Sequence, residues 1–335
     1  MHAGKAYKLS EFLLWTRRKV YILVVLGLVP VIFYQVFGLR WLDIPWPVIA
    51  LLGTTATFIV GFTNTQTYRR NSDGQQIWTT IIGLSRCWGI LSRDFFTRPD
   101  KTKELIYRHI AWLTALRYEM RDDRIWESTN EKHNAEFRQF YTIPEKETSL
   151  ESELAKYLSA HELKFILSAR NKPTQILGLQ SKAVKGLYEK DEIAILQFVE
   201  MERMIKDLVI QQAKSEEMKN SPYPRQYAII NNIFVWLFCA MLPFGFLKDF
   251  DKLNDVVTGA MKGYMVWLVI PFSTLISWMY NSLKQVGEST ENPFEGNAND
   301  VPISHMSRSI EIELREILSE TDLPPVLEQR NNIIL

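Results

Sequence analysis

Cysteine is almost missing: the 335 residues contain two, Cys87 and Cys239. Two lone thiols exclude a disulfide framework and a cysteine-built metal centre, and they fit a reducing, cytosol-facing environment. Histidine is sparse too. His2, His109, His133, His161 and His305 lie scattered, and the nearest pairing, His161 with Glu162, has no metal-ligand spacing. No phosphate-binding glycine loop, dinucleotide fingerprint or paired-histidine zinc helix occurs. The stretch "GLSRCWG" sets no identifiable base beside Cys87, so a cysteine nucleophile has nothing to activate it. Neither an enzyme activity, a cofactor nor a bound metal is expected. An excess of one charge is lacking as well. Lys and Arg number 39 against 38 Asp and Glu, a net charge of +1, which gives a nucleic-acid partner no electrostatic footprint.

A mean hydropathy of −0.10 resembles that of a soluble protein, but the average hides a segregation. Four windows carry no Asp, Glu, Lys or Arg: Val20–Leu39, Ile44–Tyr68, Tyr227–Leu247 and Gly263–Leu283. Each reaches the roughly 20 residues needed to cross about 30 Å of hydrocarbon. The first is longer than the apolar core of a secretory signal and no A-x-A-like site follows it, so it reads as a span. Up to Lys19 the chain bears Lys5, Lys8, Arg17, Arg18 and Lys19 against Glu11 alone, which places this end in the cytoplasm. Four spans with both termini cytoplasmic, in the inner cell membrane, is the simplest topology. The short external link is "RWLDIPWP"; "KDFDKLNDVVTGAMK" is the second.

The remainder reads as helix. In "DKTKELIYRHIAWLTALRYEM", Leu105, Ile106, Ile110, Leu113 and Leu116 recur near helical spacing after Pro99. "SLESELAKYLSAHELKFIL" has a capping-type opening and the same helical apolar period. Asp191–Lys219 contains no Pro or Gly and predicts one long helix ended by "NSPYP". No period-two alternation and no internal repeat is apparent. The expected fold is all-α: residues 1–98 hold spans 1 and 2 and a cytosolic extension, residues 99–224 a helical cytosolic domain, residues 225–286 spans 3 and 4, and residues 287–335 a C-terminal cytosolic segment.

The second span has a distinctive face. Ala50, Gly53, Thr54, Thr57, Gly61, Asn64 and Tyr68 fall three or four residues apart, and so share one side of a helix; Leu52, Phe58, Ile59 and Phe62 fall on the other. Small residues of this kind let helix backbones pack closely. They also suit a water-facing wall to which each helix of an oligomer gives one stripe. Continuation of the stripe through Asn64 and Tyr68, past the bilayer, favours the wall. It also explains why a span runs into "FTNTQTYRRNSDGQQIW" without a turn.

Three stretches resemble the bestrophin family in its bacterial form. "PVIALLGTTATFIVGFTNTQTYRRNSDGQQIWTTIIGLSRCWG" resembles its proline-led span with Phe–x–Asn–x–x–x–Tyr–x–Arg and a trailing Trp-Gly. "SPYPRQYAIINNIFVWLFCAMLPFGF" resembles its third span, and "ENPFEGNANDVPISHMSRSIEIELREIL" its C-terminal motif. Thr63 stands where Arg is common, "GQQIW" lacks the usual acid, and Glu295 replaces the motif glycine. The resemblance implies a homopentamer around a central pore with a large cytosolic vestibule. By position it implies a neck at Trp46, Ala50 and Thr54, to which the stripe adds Thr57; Gly61, Asn64 and Tyr68 would line the path beyond. Small Ala50 and Thr54 would make that neck wide and wet where the family usually has a dewettable apolar gate. The cytosolic aperture falls at Leu196, with Ile195 one residue away as the alternative. The calcium clasp of animal members falls on Asn297 and Asp300, with Ser289 at its amide position. So thinned, the segment is expected to be structural, with Asn292 and Asp300 bonding nearby backbone, and no metal bound. Pro47 in the first turn of the pore helix sets positive helix ends at the outer mouth, where Asp249, Asp251 and Asp255, if close to it, would offset them. The expected activity is passive conduction of chloride or other small monovalent ions, anions first. The alternatives are a cation channel of the same fold or a non-conducting scaffold; the expected partners are further copies of the chain and the lipid bilayer.

Overall fold

A computed structural model describes residues 1–5, 7–128 and 131–335, with the side chain of His133 outside the described set. Among the described residues all regular elements are helical. Helix α1 spans Leu9–Gln35 and α2 spans Trp46–Phe95. The portion between the second and third apolar helices follows as α3 (Pro99–Arg121), α4 (Lys132–Phe137), α5 (Pro144–Glu147), α6 (Leu150–Leu154), α7 (Ala160–Ser168), α8 (Lys172–Tyr188) and α9 (Ile195–Asn220). Helices α10 (Arg225–Lys252) and α11 (Val269–Ser289) form the second apolar pair, and α12 (Ile303–Ile317) packs back on α2 and α3. Among the described residues four helical stretches are long and apolar enough to cross a membrane, and they hold two of the charge-free windows whole and most of the other two.

Helix α2 organises the molecule. Its 50 residues reach about 75 Å at roughly 1.5 Å per residue, more than twice the hydrocarbon thickness. No proline interrupts it after Pro47. Its first half packs on α10 through Ile49, Ala56 and Val60 against Val235, Phe238 and Leu242. The crossing is close because Gly53 and Gly245 are bare: a Cβ on Gly53 would meet the Phe238 ring at 2.8 Å, and one on Gly245 would meet Ile49 at 2.6 Å. Its second half buries Trp78, Ile81 and Trp88 in the main core, which it shares with the helices of residues 99–220. There α3 is the central element, with Leu105, Ile106, Ile110, Trp112, Leu113 and Leu116 all buried.

The stretch of helical period after Ser149 forms two helices. Helix α6 is capped by Ser149, which accepts a hydrogen bond from the Ser152 amide. The chain then restarts at Ser159, whose side chain and that of Glu162 form a reciprocal capping box for α7. Because Ser159 takes an extended backbone to cap α7, the apolar period continues across a break in the helix.

Candidate functional site

The face that α2 turns to its own subunit is marked by Ile49, Gly53, Ala56, Val60, Thr63 and Thr67, all buried. The opposite side is uncovered along the whole helix. Within the apolar layer it has two flanks. One is small or hydroxylated: Ala50, Thr54 and Gly61 are exposed, and a Cβ on Gly61 would meet nothing within 4 Å. The other is apolar: Leu51 is 70% exposed and Phe58 74%, with Phe62 beside them. Below the layer the uncovered face continues as Thr65, Tyr68, Arg69, Ser72, Gln76, Thr79 and Gly83.

The sequence stripe therefore divides. Gly53 belongs to the packing seam with α10. Thr57 donates to the Gly53 carbonyl at 2.8 Å and shares a 2.6 Å hydrogen bond with the Tyr280 hydroxyl of α11. Asn64 donates to the Leu283 carbonyl at 3.1 Å, and its oxygen occupies the space a Cβ on Gly287 would need. Trp46 stacks on Phe246, centroids 5.2 Å apart. Ala50, Thr54, Gly61 and Tyr68 stay uncovered, and Trp46 and Thr57 remain exposed despite their contacts. Thr54, Thr65 and Thr79 each donate to the carbonyl four residues earlier, at 2.8–2.9 Å. The hydroxyl proton is thus used within the helix, and the wall presents methyl groups and oxygen lone pairs. Phe58, expected on the opposite face, instead shares the uncovered side, 74% exposed; its i, i+4 register with Thr54 is the signal for this in the sequence.

At the outer end, Asp249 lies 3.0 Å from Lys252, Asp251 accepts from Tyr34 at 2.9 Å, and Asp43 is 3.8 Å from Lys248. Asp251 also lies 3.9 Å from Arg40, so Asp249 and Asp251 are each paired with a cation. At the inner end, Leu196 is 80% exposed at the start of α9, with Ile195 and Val199 also exposed. None of the three contributes to the subunit's own core.

The segment after α11 is buried and tightly bonded. Gly296 adopts φ +95°, and a Cβ there would lie 2.9 Å from Ile143. The Asp300 carboxylate accepts from the amides of Gly296 (2.7 Å) and Asn297 (2.9 Å). The Glu295 carboxylate accepts from the Ser128 amide (2.8 Å), the Ser128 hydroxyl (2.7 Å), and the side-chain amides of Asn292 and Asn297. Burial and the neighbouring Asp300 push the Glu295 carboxyl well above its ordinary range. Burial lifts Asp300 to about 6, against the pull of Arg121 and the two amides. Among the described residues no cluster of three His, Cys, Asp or Glu is placed to hold a metal. His109 is fully buried between Trp88 and Trp112, its Nε2 2.9 Å from the Ser85 hydroxyl, and burial lowers its pKa to about 3. It stays neutral and serves packing.

The model of the family described as "Bacterial/Fungal Bestrophin protein" matches residues 14–316. The chain is 24% identical over 293 residues to the Escherichia coli K12 protein named "Voltage-dependent anion channel-forming protein YneE", covering 87% of this chain and 82% of that one. It is 20% identical over 280 residues to a Ralstonia protein of the same descriptive name, covering 82% and 78%. In fold it is similar to the crystal structure of a bacterial bestrophin homologue from Klebsiella pneumoniae: TM-score 0.75 at 20% identity, covering 92% of this chain and 99% of that one.

Proposed function

The chain belongs to the bacterial and fungal bestrophin family, and on that footing we propose that it is a homopentameric channel of the inner membrane, passing chloride and other small anions passively through one central pore lined by α2. The observation that carries the reading is the uncovered face of α2. A single span has no use for exposed threonine, serine and glutamine running tens of ångströms beyond its bilayer segment. Several copies around an axis turn the same stripe into a continuous wet wall. In this arrangement Trp46 forms the outer rim, and Ala50 and Thr54 line the neck with Phe58 beside them. Thr57 and Asn64 stiffen the wall by tying α2 to α11, and Gly61 and Tyr68 lead into a vestibule built by residues 69–95 and the domain of residues 99–224. Phe58 makes the neck less open than small Ala50 and Thr54 alone would leave it, and restores an apolar barrier of the dewetting kind. Leu196, with Ile195 and Val199, forms the inner aperture.

Anion preference is supported by positive helix ends at the outer mouth, by the pairing of Asp249 and Asp251, and by exposed Arg69 on the vestibule face. The names of the relatives agree with it. Cation conduction has one observation in its favour: threonines whose protons are used internally offer lone pairs, which suit cations. Purified protein in proteoliposomes under asymmetric potassium chloride decides the matter. Reversal near the chloride potential is expected, with Phe58→Ala raising and Thr54→Phe lowering conductance several-fold. Reversal near the potassium potential selects the cation channel. A monomeric mass with no flux removes the channel altogether and leaves the scaffold.

A further inference from the structure

Three spans meet the cytosolic boundary at one place. Lys19 is the last charge before the window opening at Val20, Lys284 the first after the window closing at Leu283, and Arg225 the last before the window opening at Tyr227. All three line a single cavity of about 640 Å³. The same wall carries Glu131, Glu288 and Glu291. Lys284 lies 3.1 Å and Lys19 3.7 Å from Glu288, and Arg225 lies 3.2 Å from Glu291. The further lining acid, Glu127, is bound by buried Lys219 outside the cavity wall. Three cations thus face three carboxylates, with no surplus of either sign.

The rim adds a second observation. Trp126 borders the cavity, and its indole N–H, buried, has no hydrogen-bond partner among the described residues. Ile125 beside it is fully exposed. A large aromatic next to a bare aliphatic is what the headgroup level of a bilayer accommodates. A wall with only cations would select an anionic headgroup. A balanced wall selects a ligand that carries both charges a few ångströms apart.

We propose that this cavity binds the phosphoethanolamine headgroup of a phospholipid from the cytosolic leaflet. The phosphate is held by Lys19 and Arg225, and the ammonium by Glu131 and Glu288. Buried Lys284 and Glu291 keep the two halves of the wall in place. The acyl chains then leave between α1 and α10 into the bilayer. The assignment rests on these residues marking the membrane boundary and does not depend on conduction through α2.

The test is native mass spectrometry of the full-length assembly, extracted after reconstitution in an equimolar mixture of phosphatidylethanolamine, phosphatidylglycerol and phosphatidylcholine with identical acyl chains. Phosphatidylethanolamine should be retained preferentially. Retention should fall about tenfold in Glu131→Gln and in Lys19→Gln, the factor that about 1.4 kcal/mol of lost interaction represents. Lys248→Gln, at the opposite membrane boundary, should leave it unchanged, and the intact mass shows whether each variant assembles. Equal retention of the three lipids by the parent, preference for phosphatidylglycerol, or unaltered retention in both cavity variants would overturn the proposal. So would displacement of the lipid by soluble O-phosphoethanolamine at comparable concentration, because the ligand would then be a free metabolite rather than a lipid.

Discussion

Arg70 ties three elements together through carbonyl oxygens alone. Its Nε donates to the Glu291 carbonyl at 2.9 Å, and its Nη2 to the carbonyls of Met218 at 2.6 Å and of Ser221. The last two belong to the end of α9, where carbonyls have no partner within the helix and carry its negative dipole end. A planar guanidinium satisfies them and the start of the C-terminal segment at once; an ammonium cannot reach all three in the same geometry. Arg70→Ala should therefore lower the temperature at which half of the assembly survives heating, by an amount consistent with about 2–4 kcal/mol for several lost charge-assisted bonds. Arg70→Lys should fall between. Size-exclusion after graded heating measures both, and a parent-like Arg70→Ala profile would show that the clamp contributes no stability. The adjoining Arg69 is exposed, so Arg69→Ala should leave the heating profile alone.

At the scale of elements, what the sequence discloses depends on whether one segment's own residues decide the outcome. The four spans are legible because the absence of charge over about 20 residues is a property of each segment by itself. The uninterrupted run from Trp46 to Phe95 is legible for the same reason: no proline or turn breaks it after Pro47. The division of its polar stripe is not. Gly53 packs because Phe238 lies across from it, Thr57 bonds because Tyr280 does, and Asn64 bonds because Gly287 leaves room, and none of those partners is near in the chain. Helix α9 shows the same limit. Its length follows from a stretch without Gly or Pro, but whether its first apolar residues enter a core depends on distant neighbours. Leu196 stays outside the subunit's core, 80% exposed. If it forms the aperture, Leu196→Ala should change conductance or ion preference several-fold while the assembly keeps its mass, as a wider, less hydrophobic ring offers a lower dewetting barrier. Bilayer recordings paired with mass photometry check this; an assembly that dissociates instead would assign Leu196 to the contact between copies.

For the whole molecule, the segment after α11 is where distant parts of the chain converge, and that determines how it answers calcium. Arg121 from α3 donates to the Phe294 carbonyl at 2.9 Å and lies 3.9 Å from Asp300, while Asn71 from α2 reaches the Asn299 carbonyl at 3.5 Å. Calcium needs six to eight oxygen ligands, with carboxylates supplying the charge. Here the carboxylates of Glu295 and Asp300 are committed to amides and hydroxyls, and a buried cation stands where the ion's charge would be. Burial also raises both carboxyl pKa values, Asp300 to about 6, so that a proton competes for the same oxygens. Binding calcium would require breaking the two amide bonds of Asp300 and displacing Ser128 from Glu295, each leaving a buried polar group unsatisfied at roughly 1–3 kcal/mol. Open probability should therefore stay flat when free calcium is raised from chelated to millimolar levels in single-channel recordings, and a chelator should leave the heating profile of the assembly unchanged. Asp300→Ala, by contrast, should destabilise the assembly without creating calcium dependence, because it removes the acceptor that holds the Gly296 turn. A steep rise in open probability at micromolar calcium would mean that these bonds rearrange around an ion, and that the segment is a sensor rather than a strut.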